Sequence, residues 1–211
     1  MSRTPTPAPQ LEAVAVEGLS RGAFLLRGAL ATGAVLGGSA VGPFVRRALA
    51  QEGGDVDVLN FALTLEYLEA TFYSRAIREG RGLGADTRRL VREIHDNEVA
   101  HVDALRGTIK QLGGRPVDAP KVGFGDVFTN RRRFVGLAQT LEDTGVSAYN
   151  GAAPQIRSSE VLAAAGSIVQ VEARHAALIR LLNGETPAPS AFDAALAEKN
   201  VLDAVTPFLK S

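Results

Sequence analysis

Glu98-Val99-Ala100-His101 and Glu172-Ala173-Arg174-His175 decide how this chain is read. On a helix, residues three apart share a face, so each Glu-x-x-His presents a carboxylate and an imidazole to one point. The chain has only three histidines, and two of them stand in these pairs. It has no cysteine, which excludes disulfides, thiolate metal sites and thiol nucleophiles. The residues around each pair are apolar at helical spacing. Val91, Ile94, Val102, Leu105 and Ile109 share an arc with Glu98 and His101, and Ala165, Ile168, Ile179 and Leu182 share one with Glu172 and His175. Carboxylates on a core face cost several kcal/mol unless something neutralises them. A cation cluster is the economical solution, and carboxylate with imidazole suits iron, manganese or zinc better than calcium or magnesium.

Working outward, helical patterning holds from Asp55 onward, with helices expected over 56–78, 88–112, 129–150 and 159–183 and a shorter one over 190–204. Gly80 to Gly84, Gly113-Gly114-Arg115-Pro116, Pro154 and Asn183-Gly184 punctuate the breaks. Asp86 or Thr87 is expected to cap the second helix, and Ser158 the fourth. No segment alternates as a strand would, so the fold class is all-α. In the first helix Glu66 and Glu69 fall inside the apolar arc, while Asn60, Thr64, Thr71 and Arg75 take the other side. In the third helix Glu142 lies among Phe134, Leu141, Val146 and Tyr149. Each long helix thus carries a carboxylate on its core face.

An internal repeat runs through this pattern. Thr64-Leu65-Glu66 and Thr140-Leu141-Glu142 match, each with a tyrosine seven residues past its Glu, Tyr73 and Tyr149. Their offset is 76 residues, and the Glu-x-x-His pairs recur at 74. The chain reads as two copies of one helical hairpin. The connection over 113–128 is long enough to run back along a helix of roughly 38 Å, which makes the second and third helices parallel. Glu69 has no mirror image, since Gly145 stands at its repeat position. An added ligand, a held proton and an outward rotation all stay open for it. His95 falls at the edge of the apolar arc and reads as a solvated histidine, and Arg131-Arg132-Arg133 as a solvated helix start.

Residues 1–50 are different material. Ser20-Arg21-Gly22-Ala23-Phe24-Leu25, an Ala/Gly-rich run and Ala48-Leu49-Ala50 read as an export signal with a small-x-small cleavage site. The start resembles a twin-arginine signal, with Gly22 in place of the second arginine. The division expected is a signal over 1–50, a bundle over 51–184, and a tail over 185–211. The whole chain balances 23 basic against 23 acidic residues, which argues against a nucleic-acid partner.

A Glu from each of two helices, plus Glu-x-x-His from each of two others, resembles the ligand set of ferritin-like dimetal proteins. The strings Leu59-Asn60-Phe61-Ala62-Leu63-Thr64-Leu65-Glu66-Tyr67-Leu68-Glu69, Leu141-Glu142-Asp143-Thr144-Gly145-Val146-Ser147-Ala148-Tyr149-Asn150-Gly151-Ala152-Ala153-Pro154 and Val171-Glu172-Ala173-Arg174-His175 resemble the exported, desiccation-related branch of that superfamily. The resemblance implies a ferritin-like four-helix bundle with a long crossover and a short C-terminal helix. It implies a centre of two iron or manganese ions. Glu66 and Glu142 would be terminal carboxylates, Glu98 and Glu172 bridging carboxylates, and His101 and His175 nitrogen ligands. Tyr73, Tyr149 and Glu69 would stand behind them. The expected function is oxidoreductase chemistry on O2 or peroxide in an exported protein. The alternative is an envelope or stress protein whose metal is structural. Envelope association and homo-oligomerisation remain open.

Overall fold

A computed structural model of the chain describes residues 54–210, and the proposed signal over 1–50 lies outside them. Four long helices form the bundle: α1 (Asp55–Glu79), α2 (Ala85–Gln111), α3 (Arg131–Ala152) and α4 (Ser159–Leu182). A short α5 (Glu198–Val205) follows. Among the described residues there is no strand, only an isolated bridge between Val122 and Leu209. No described helix is long and apolar enough to cross a membrane.

Local chemistry explains most of the ends. Asp55 and Asp57 occupy the first turn of α1, and Asp57 accepts a bond from the Gly54 amide. Asp55 also accepts from the amides of Arg157 and Ser158, at 2.7 and 2.8 Å, which ties the start of α1 to the turn before α4. Ser158 caps α4 as expected, accepting from the Val161 amide, and Asn130 caps α3 through the Arg133 amide. The second helix departs from expectation. It begins three residues early, after Gly84 at φ +79°, and neither Asp86 nor Thr87 caps it. Thr87 is buried inside the first turn, where its hydroxyl accepts from Arg131 Nε at 3.1 Å. Arg131 also donates to the Leu182 carbonyl at the end of α4, and Arg133 pairs with Asp126, so two of the three arginines at the start of α3 tie helix ends and loops together.

Cross-helix pairs fix the topology. Along α1 and α3, Tyr73 meets Glu142, Glu69 meets Gly145 and Tyr149 meets Glu66, so the two helices run antiparallel. The turns between α1 and α2 and between α3 and α4 are short. It follows that α2 and α3 are parallel, joined by the crossover over 112–130.

That crossover corrects one expectation about α1. Asn60 and Thr64, expected on the outer side, are both buried. The crossover runs over that side of the helix. Asn60 donates to the Arg115 carbonyl and accepts from the Val117 amide, and Phe124 and Phe128 pack on Phe72. Phe134 stacks on the same ring at 5.1 Å, and Arg75 lies over Phe128.

The C-terminal helix is shorter than expected because residues 187–197 take another path. Pro187 and Pro189 open the segment, and its backbone then docks on α3: the Leu196 amide donates to the Ser147 carbonyl, and Asn150 donates to the Ala194 carbonyl. Gly151 makes room, since a Cβ there would stand 1.8 Å from the Leu196 oxygen. After α5 the chain pairs with the crossover through Gly123 and Lys210, so the tail locks the strap over α1.

Candidate metal centre

Two apolar clusters leave a polar layer between them halfway along the bundle. One includes Phe72, Ile94, Phe134 and Ile179, and the other Leu63, Val102, Ile109 and Val161. In the layer lie Glu66, Glu98, Glu142 and Glu172, all 0% exposed, with His101 and His175 nearly so. The structure therefore brings together all six side chains singled out in the sequence.

They form two groups that share members. Glu66, Glu98, His101 and Glu172 each offer one atom to a common point, and so do Glu98, Glu142, Glu172 and His175. His101 Nδ1 lies 2.8 Å from Glu172 Oε1, 3.3 Å from Glu66 Oε2 and 3.5 Å from Glu98 Oε2. His175 Nδ1 lies 2.9 Å from Glu98 Oε1 and 3.6 Å from both Glu142 Oε2 and Glu172 Oε2. Glu98 and Glu172 thus turn one oxygen to each group, while Glu66 and Glu142 each serve one group.

These contacts are close but are not hydrogen bonds. Both Nδ1 atoms, both oxygens of Glu98 and of Glu172, and one oxygen each of Glu66 and Glu142 are sealed from solvent without a hydrogen-bond partner. Apart from Asp143 Oδ1, which faces Arg180 at 2.6 Å, they are the only such side-chain atoms among the described residues. Native proteins rarely bury unsatisfied polar atoms, and eight in one layer point to something that satisfies them all. Separations of 2.8–3.6 Å match neighbouring ligands of one ion, which sit about 3.0–3.4 Å apart when each bond is about 2.1 Å. The donor set and its geometry are those of side chains that could hold metal ions.

The remaining oxygens of the terminal carboxylates have partners. Tyr149 donates to Glu66 Oε1 at 2.5 Å, and Tyr73 donates to Glu142 Oε1. Each tyrosine therefore serves the carboxylate of the other hairpin. Burial first, and then the adjoining carboxylate, push both phenols well above their ordinary pKa, so they stay protonated and donate. Burial opposes charge on the imidazoles, yet contact with the carboxylates, Glu172 for His101 and Glu142 for His175, raises both to about 12. Without a metal the histidines would hold protons in its place.

His95 stands apart, half-buried beside the exposed Asp96 and away from the layer. One contributor had no signal in the sequence: the Asn97 side-chain amide lies 3.0 Å from His175 Nε2. It acts across the gap between α2 and α4, which no periodicity within one helix reports. Only with its carbonyl oxygen turned to that nitrogen would the amide accept from Nε2–H and hold the tautomer that leaves Nδ1 for a metal, since its NH2 group can only donate.

Comparison with known proteins settles the family. Residues 54–185 match the ferritin-like domain. The chain belongs to the ferritin-like domain family. This ferritin-like chain is also 27% identical over 163 residues to Protein rds1 of Schizosaccharomyces pombe. That match covers 74% of the chain but only 39% of the relative's length. A crystal structure of a conserved hypothetical protein, rv2844, from Mycobacterium tuberculosis has the same fold, with a TM-score of 0.54 and 17% identity over 65% of this chain and 96% of that one.

Proposed function

We propose that this ferritin-like protein holds two iron or manganese ions in the central layer and acts on O2 or peroxide. The observation that carries the reading is the set of eight sealed, unpartnered ligand atoms, four to each position. Glu66, Glu98, His101 and Glu172 would hold one ion, and Glu98, Glu142, Glu172 and His175 the other. Four carboxylate charges would balance two divalent cations and leave the set neutral. Bound there, redox-active ions would supply the electrons exchanged with the oxidant. The protein's own part is geometric and electrostatic. Glu98 and Glu172 fix the two positions relative to each other. Tyr73 and Tyr149 hold the terminal carboxylates in one orientation. The flanking apolar clusters exclude bulk water and lower the local dielectric, which strengthens every charge interaction in the layer.

The same reading includes export. Residues 20–50 would direct the chain out of the cytoplasm, with cleavage after Ala50, and transport of a folded, loaded protein would let the metal be chosen inside the cell. Sequencing the N-terminus of protein recovered from the native envelope tests this, and an intact Met1 on cytoplasmic protein would refute it. The activity is tested by loading the full chain with iron or manganese and following peroxide loss and ferrous oxidation. Turnover that disappears in Glu98→Ala supports the oxidoreductase reading. A loaded protein inert in both assays favours a structural metal.

A further inference from the structure

Glu69 is the buried carboxylate that the six-residue set leaves over. It lies one turn beyond Glu66 on α1 and is 3% exposed. Among the described residues neither a hydrogen bond nor an ion pair reaches it, and its oxygens, unlike those of Glu98 and Glu172, keep a little contact with solvent. Its oxygen rests against α3 where a side chain is missing: a Cβ on Gly145 would stand 3.0 Å from Glu69 Oε1.

The repeat explains why this spot is unusual. Positions 66, 69 and 73 of the first hairpin correspond to 142, 145 and 149 of the second. Tyr73 reaches Glu142 and Tyr149 reaches Glu66, contacts that exchange under the two-fold relating the hairpins. Glu69 faces Gly145, its own counterpart, and so lies on that two-fold. The same axis must pass between the two ligand groups, because it interchanges Glu98 with Glu172 and His101 with His175. A carboxylate on the axis, entering from α1, is placed alike with respect to both groups. Consistent with this position, burial and then repulsion from Glu172, Glu98, Glu142 and Glu66 all raise its pKa.

We propose that Glu69 is a seventh ligand, a third carboxylate able to bridge both ions from the α1–α3 side, and that Gly145 lacks a side chain to give it room. The inference rests on the dimetal reading above. Its chemical consequence is charge. Five carboxylates around two divalent ions leave a net charge of −1, and the set becomes neutral when one ion is trivalent. Glu69 would therefore favour the more oxidised pair.

The test is Mn(II) affinity of the full chain, measured by competition with a chelator, for wild type, Glu69→Gln, Glu69→Asp and Gly145→Ala. Thermal melts of the metal-free proteins check that each variant folds. Glu69→Asp separates ligation from simple attraction, because it keeps the charge and shortens the reach. The expected result is a loss of at least tenfold for the weaker-held ion in both Glu69 variants, and a smaller loss in Gly145→Ala that vanishes when Glu69→Gln is present. If wild type binds two ions and Glu69→Asp binds them as tightly, the seventh-ligand inference is overturned and the dimetal reading stands. If wild type binds no Mn(II), both fall.

Discussion

Among the described residues, Glu98 and Glu172 differ from every other carboxylate in presenting two sealed oxygens to two different imidazoles. The position of each on its helix follows from one spacing, Glu-x-x-His, and that spacing was readable before any coordinate. So was the burial of Glu66 and Glu142, because their neighbours on the wheel are apolar. Hidden from the sequence was anything that depends on contact between helices: the crossed tyrosine bonds, Asn97 beside His175, and Gly145 against Glu69. At this scale Glu98→Ala and His101→Ala should each abolish metal binding, while His95→Ala should leave it intact. Equal losses from all three, by elemental analysis of loaded protein, would contradict the assignment. Tyr149→Phe should be milder. It leaves every ligand in place but frees Glu66, and the loss of such an orienting partner typically weakens metal binding by about 10–100-fold.

The four long helices were legible to within a few residues, because their apolar period is sustained and glycine follows three of them, with Pro154 after the other. The crossover and the tail were not. Neither has a period, and their structure comes from what they cover. Phe124 and Phe128 fold onto Phe72, and Asn60 turns its amide to the strap, so α1 is covered on a side that its own pattern leaves polar. The same reasoning explains the late start of α5, since the docking of Leu196 on α3 competes with an earlier helical turn. Phe72 is fully buried and sits at the centre of this contact. Phe72→Ala should therefore destabilise the fold by about 3–5 kcal/mol, through the lost apolar area and the cavity left behind. Chemical denaturation of the metal-free protein measures it, and a change under 1 kcal/mol would mean that the strap does not contribute to stability as described.

For the whole molecule the repeat is the organising fact. Two hairpins related by a two-fold place two equivalent ligand groups in a layer between two apolar clusters. Such a layer is costly by itself, since it gathers like charges in a low dielectric, and it makes the fold depend on cations. In the metal-free protein those cations are protons, with both histidines raised to about 12. They therefore remain protonated through neutral pH, and each must lose its proton before its Nδ1 can bind a metal. Loading at neutral pH should release protons, and apparent affinity should rise with pH, by about tenfold per unit for each proton displaced. Calorimetry in buffers of different ionisation enthalpy counts them, and a count of zero would contradict the account. The central claim is tested most directly by the metal content of the full-length protein after reconstitution with iron or manganese and removal of loosely bound ions. The account predicts two ions per chain, lost together in Glu98→Ala. A content near zero in the wild-type protein would contradict it.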